Sequence, residues 1–150
     1  MKEKNKLSEL KIRRAKGSDA AYLAALSGEL GYPVTTAEMK LRLSRLKAAA
    51  DNAVFVAETR GEVIGWVHVS ANRLLEVAFR AEVNGLVVSE KQRSNGAGAR
   101  LLEAAEKWAR GKRCVNMSVR SNVIRERAHA FYERHGYEHY KTQKAFRKPL

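Results

Sequence analysis

The stretch Gln92-Arg93-Ser94-Asn95-Gly96-Ala97-Gly98-Ala99 holds the residue types and spacing that most directly imply chemistry. It follows an apolar run that reads as a strand and precedes one that reads as a helix, a place where several backbone N–H groups converge on an anion. Gly96 and Gly98 let a phosphate approach the backbone closely, and Arg93 adds positive charge. No Lys-Ser/Thr pair follows the glycines and no G-x-G-x-x-G fingerprint is present, so the pattern points to pyrophosphate binding without a nucleotidase or dinucleotide signature. Two glycines before a helix also make an ordinary structural turn, and spacing alone leaves both readings open.

The elements that must hold this loop can be read from periodicity. Leu10 and Ile12 with their arginines open as a short strand, and Ser18 or Asp19 can cap a helix through Tyr22, Leu23, Leu26 and Leu30 that ends at Gly31. Tyr32 and Pro33 turn the chain. Thr35 with Glu38 forms a capping-box pattern ahead of a helix through Met39, Leu41, Leu43 and Leu46. Val54 to Val56, the Arg60-Gly61 turn and Val63 to Val69 predict a hairpin. Ala81 to Val88 predicts a strand, Leu101, Leu102, Ala105 and Trp108 a helix, and Val115, Met117 and Val119 another strand. Strand, loop, helix and strand make a βαβ unit, which requires a parallel pair. A last helix spans 125 to 135 with Gly136 as its left-handed cap. Tyr137 to Tyr140 and Ala145 to Arg147 predict two further strands.

At 150 residues the chain suits one domain, read as residues 9–150 after a polar tail at 1–8. The polar opening, Met1 to Lys6, lacks the apolar run of a signal peptide or a membrane span, so a soluble cytoplasmic protein is expected. Cys114 is the single cysteine, so no intrachain disulfide and no zinc site is expected, and its reading is a small buried apolar residue. The net charge of +13 attracts polyanions. The basic residues are nonetheless scattered, without the interleaved aromatics of a nucleic-acid surface, so a solvated basic surface is the reading.

The loop, with Leu101-Leu102 after it, resembles the Arg/Gln-x-x-Gly-x-Gly/Ala motif of the GNAT superfamily of N-acetyltransferases, with Arg93, Gly96 and Gly98 at the matching positions. Ala81 to Val88 is similar to the strand before that motif. Asn122, Ala128, Phe131-Tyr132 and Gly136-Tyr137 match a later one. Ser94 stands where many relatives carry glycine. The resemblance covers residues 81 to 137 well and the first half in element order alone. It implies an α/β fold of the α+β type, with a central mixed twisted sheet of about six to seven strands and about four flanking helices.

It also implies an acetyl-coenzyme A site in which the backbone of Leu86, Val87 and Val88 pairs with the two amides of the pantetheine arm, while the pyrophosphate lies over Arg93, Ser94, Asn95, Gly96, Ala97, Gly98 and Ala99. Attack of an amine on a thioester needs a neutral nucleophile, a polarised carbonyl and a proton for the departing thiolate. By resemblance Tyr132 is the acid, its phenol protonated at neutral pH with a reference pKa of about 10. The alternative is that Phe131 and Tyr132 simply pack a core. Glu82 is the corresponding base, directly or through water, and a carboxylate amid Phe79, Val83, Leu86 and Val87 calls for an explanation in any case. A surface glutamate is the other reading. Asn122 is expected to end the last strand of the βαβ unit and bond the cofactor, or to cap the final helix. His68, His129, His135 and His139 form no ligand spacing, so no metal is expected.

The ending is similar to small-molecule members such as aminoalkylphosphonate N-acetyltransferases. A basic protein favours a small, acidic amine over a polycationic aminoglycoside unless Glu76 and Glu82 create a local acidic pocket. Acceptor contacts are expected from the turn at Gly31 to Val34, with Tyr32, and from Asn72 to Ala78, with Glu76. The function read is acetyl transfer from acetyl-coenzyme A to a primary amine of a small molecule, in a ternary complex. The alternatives are a protein or peptide acceptor and a non-catalytic acyl-coenzyme A or RNA-binding module. A homodimer is the assembly the resemblance implies.

Overall fold

The computed structural model describes residues 9–93 and 95–150; the expected tail at 1–8 and Ser94 lie outside the described residues. The chain divides into two compact units, Met1–Val119 and Arg120–Leu150.

The first unit is a five-stranded sheet in the order β1-β2-β3-β4-β5. Its strands are β1 (Lys11–Arg14), β2 (Asn52–Thr59), β3 (Glu62–Asn72), β4 (Arg80–Val88) and β5 (Met117–Val119). Its helices are α1 (Ala20–Glu29), α2 (Thr36–Ala48) and α3 (Ala97–Gly111). Neighbouring strands are antiparallel from β1 to β4, and β5 runs parallel to β4. The expected βαβ unit is therefore present, with α3 as its crossover.

Both faces of the sheet are covered, and hydrophobic alternation decides by what. Val54, Val56 and Val87 pack with Leu23 and Leu26 of α1 and Leu43 of α2, with Trp66 against the same cluster. On the opposite face Leu101, Leu102 and Ala105 of α3 are fully buried, and a Cβ placed on Gly65 of β3 would lie 3.1 Å from Leu101 Cδ1. Each buried leucine contributes about 1.5–3 kcal/mol of transfer free energy, so this one stripe of α3 largely fixes the crossover. The α2 capping box is formed as expected, with Glu38 N–H donating to Thr35 Oγ1 and Thr35 N–H to Glu38 Oε2, both at 3.1 Å.

Asp19 precedes α1 but makes no side-chain cap to it. Its carboxylate instead accepts two bonds from the Arg13 guanidinium, at 2.8 and 2.9 Å, and one from Lys16 N–H at 2.7 Å, while Arg13 Nε donates to Glu58 at 2.9 Å. The arginine ties β1, β2 and the entry to α1 together and holds the Asp19 carboxyl below the usual carboxylate range. Cys114 is half-buried rather than a core residue, and desolvation raises its thiol pKa.

The second unit contains one helix, α4 (Glu126–Arg134). Phe131, Tyr132 and Tyr137 form an aromatic cluster there, with ring centroids 5.2 Å apart for Phe131–Tyr132 and 5.6 Å for Tyr132–Tyr137. Tyr137 to Tyr140 and Ala145 to Arg147, expected as strands, are coil, so the sheet has five strands and not six or seven. Their alternation is strand-like, but a strand exists only with a neighbour to take its backbone bonds, and these segments pair with none among the described residues.

Candidate active site

Within the first unit the candidate site is built on β4. The strand pairs β3 along its length, but the register slips where Val69 faces Val83 and His68 faces Gly85, leaving Asn84 as the extra residue of a β-bulge. On its other side β4 pairs with β5 only at Ala81, Glu82 and Val83. Among the described residues, the sheet gives β4 a neighbour on one side only from Asn84 to Val88. Leu86, Val87 and Val88, expected to bind an amide-bearing arm, thus have one strand edge that no ladder of the sheet occupies, which suits an added extended ligand.

The chain then passes through Glu90–Gln92, a short 3-10 turn, to the glycine loop. Arg93 folds back, with Nε 3.5 Å from the Val88 carbonyl oxygen and Nη2 3.9 Å from the Glu90 carboxylate. Gly96 is the N-cap of α3 at φ 83°, a left-handed conformation that a side chain would strain. Asn95 Oδ1 accepts the Ala97 N–H at 3.1 Å, and Arg100 N–H bonds the Gly96 carbonyl. Helix geometry leaves the Gly98 and Ala99 amides pointing past the N-terminus, where the helix dipole adds positive potential.

Glu82 is buried, 7% exposed, so the surface-glutamate reading is corrected. It faces Ser70 of β3 and Ser118 of β5 across the ladders. Asn72 Nδ2 donates to Glu82 Oε2 at 3.4 Å, and Asn84 Nδ2 donates to Ser70 Oγ at 2.8 Å. The carboxylate therefore sits in a polar strip of amides and hydroxyls at the end of the sheet face whose other end is apolar Val54, Val56 and Trp66. Ser70 and Asn84 were not anticipated, and Asn72 was expected only as the start of the acceptor stretch Asn72 to Ala78. The one signal for them in the sequence is Asn84-Gly85 inside an otherwise apolar strand, a pattern that marks bulges. His68 continues the strip, with Nε2 2.9 Å from Asn52 Oδ1, and burial lowers its pKa.

Tyr32 is exposed at the turn between α1 and α2, and Glu76 is exposed in the loop between β3 and β4. In the second unit the Tyr132 phenol is pushed up to about 12 by burial. Asn122 lies three residues beyond β5, so it neither ends that strand nor caps α4, whose N-cap is Arg125. It organises the turn before the helix: its Oδ1 accepts Ile124 N–H at 3.1 Å and its carbonyl accepts Arg125 N–H. Among the described residues no group of His, Cys, Asp or Glu is arranged to hold a metal ion.

Residues 20–137 match the model of the Acetyltransferase (GNAT) family. The chain belongs to that family. The GNAT protein is thereby an N-acetyltransferase whose acetyl donor is acetyl-coenzyme A, as the resemblance implied. It is 31% identical over 136 residues to the uncharacterized N-acetyltransferase YhfO of Bacillus subtilis (strain 168), covering 86% of this chain and 90% of the relative. It is 26% identical over 146 residues to the aminoglycoside N(6')-acetyltransferase type 1 of Klebsiella aerogenes, covering 93% of this chain and 96% of that one. In fold it matches aminoglycoside N-acetyltransferase AAC(6')-Iy, solved in complex with CoA, with a TM-score of 0.84 at 18% identity over 94% of this chain and 95% of the other.

Proposed function

We propose that this GNAT enzyme acetylates a primary amine on a polar small molecule, with Glu82 as the base that makes the amine neutral. The observation that carries the reading is the burial of Glu82 among Ser70, Asn72, Asn84 and Ser118, beside the open edge of β4. A carboxylate held there attracts an ammonium, and the surrounding amides and hydroxyls are hydrogen-bond partners for a hydroxyl-rich carrier. The similarity to an aminoglycoside acetyltransferase supports an acceptor of that polar type ahead of an amine carrying phosphonate or carboxylate.

In this reading Leu86 to Val88 hold the pantetheine amides, and Arg93 with the Gly96 to Ala99 segment holds the pyrophosphate. Glu82 takes a proton from the ammonium, the amine nitrogen attacks the thioester carbonyl, the new N–C bond forms and the C–S bond breaks. Tyr132 keeps its proton throughout the neutral range. A phenol at about 12 yields that proton reluctantly to a thiolate of pKa about 8.5, so Tyr132 hydrogen-bonds the departing sulfur. The proton that ends on sulfur comes from the acylated nitrogen.

The test is Glu82→Gln, which keeps shape and removes the base. With an accepted amine, turnover should fall about 10²-fold or more while acetyl-coenzyme A affinity is kept. Full turnover would remove Glu82 from the reaction.

A further inference from the structure

Four polar side chains cross the sheet in one row: Asn52 of β2 faces Ser70 of β3, Ser70 faces Glu82 of β4, and Glu82 faces Ser118 of β5. Residues paired across a ladder share a face of the sheet, so the row is a continuous polar track. The next rows toward the end of β4 are Val54, His68 and Gly85, then Val56, Trp66 and Val87. Ser70 and Glu82 are buried in the middle of the track, whereas Asn52 at its β2 end is half-buried.

His68, half-buried as well, stands beside that β2 end. Its Nε2 lies 2.9 Å from Asn52 Oδ1, and a ring nitrogen bonded to an amide oxygen must carry the hydrogen. Nδ1 is then a lone-pair acceptor on a neutral ring, a state that burial favours by lowering the imidazole pKa. Among the described residues no hydrogen bond reaches His68 Nδ1 or Asn52 Nδ2. The pair thus keeps one acceptor and one donor without protein partners, and hydroxyl groups, which donate and accept at once, suit both. Packing does not call for histidine here: its ladder neighbours are Val54 and Gly85, and an apolar side chain would extend the core of Val54, Val56 and Trp66.

We propose that His68 and Asn52 form a second subsite for the acceptor, binding hydroxyl groups of its carrier while Glu82 holds its amine. Asn52 and Glu82 lie two strand spacings apart, about 10 Å, a span that a single sugar ring falls short of and a linked pair of rings covers. The acceptor class is therefore an amine on a polyhydroxylated body that extends across the sheet from β4 to β2. The assignment rests on the proposed reading of Glu82 as the residue that receives the amine.

Calorimetric titration of the protein saturated with coenzyme A tests this with two amines: glucose carrying an amine in place of its primary hydroxyl, and maltose with the same replacement on its non-reducing ring. The maltose amine should bind at least about tenfold more tightly, the worth of roughly one or two net hydrogen bonds. His68→Leu and Asn52→Ala should each remove most of that difference by weakening the maltose amine alone. His68→Gln, which keeps an amide oxygen as acceptor, should retain it. Failure of the parent to bind the maltose amine, equal binding of the two amines, or a variant loss shared equally by both overturns the proposal; the shared loss is what a purely structural role gives. Glu82→Gln keeps the two failures apart. Weakening of both amines together supports Glu82 as the group that receives the ammonium, whereas no weakening removes that reading and leaves the preference for the maltose amine to report on His68 and Asn52.

Discussion

Gly85 of β4 lies under the indole of Trp66: a Cβ added to Gly85 would come within 2.8 Å of two ring carbons. The pair sits at the bulge where Asn84 interrupts the ladder, so the tryptophan packs against the backbone just where β4 leaves β5. Gly85→Ala must displace the ring or the strand, and overpacking of this kind costs about 1–3 kcal/mol. Urea unfolding should show that loss, with Trp66 fluorescence altered in the folded state. Unchanged stability would mean that the indole yields freely and the bulge is not pinned by it.

At Gly96 the reason for glycine is conformational. The residue stands at φ 83° as the N-cap of α3, so Gly96→Val strains the loop and projects a side chain where a phosphate would approach. Calorimetric titration with coenzyme A should give at least about tenfold weaker binding, with overall folding retained. Retained affinity would take the glycine loop out of pyrophosphate binding.

The Arg13–Asp19 pair gives the fold an acid limit. Asp19 titrates below its ordinary range because Arg13 hydrogen-bonds and neutralises it. A carboxylate depressed by folding stabilises fully above its unfolded pKa of about 3.9, and that share is lost as pH falls through the folded value. Asp19→Asn should cost about 1–3 kcal/mol at pH 7, because it removes one of the two carboxylates, Asp19 and Glu58, that pair with the half-buried guanidinium. The gap between parent and variant should narrow below about pH 4 in thermal melts. A gap independent of pH would show that the charge on Asp19 is not what stabilises this corner.

In the proposed reaction, Tyr132→Phe would remove one hydrogen bond to the leaving sulfur while leaving the aromatic cluster with Phe131 and Tyr137 intact. Turnover should drop about 10- to 100-fold, the worth of a bond to a charged group, with little change in KM. Since the phenol titrates at about 12, the parent enzyme should show no loss of turnover from tyrosinate formation below about pH 10. Equal turnover of parent and variant would leave Tyr132 a packing residue.

Much of this organisation was legible in the residues themselves. Thr35 with Glu38, the Leu101-Leu102-Ala105 stripe and the strand-loop-helix-strand order each state their element locally, and each is found. The environment of Glu82 was not legible. Ser70, Asn72 and Asn84 reach it through a cross-strand register shifted by one bulged residue, and a register is set by two strands together, so neither strand's sequence states it. The segments at 137–140 and 145–147 failed for the related reason that alternation specifies the face of a strand and not its neighbour.

The most direct test of the account is to incubate the purified protein with acetyl-coenzyme A and a panel of amines, comprising amino sugars, aminoalkylphosphonates and a peptide, while following free thiol. The account predicts thiol release that depends on the amine, is strongest for a polar small-molecule acceptor and falls with Glu82→Gln. Release that is independent of any amine, or acetylation of the peptide in preference to every small molecule, would contradict it.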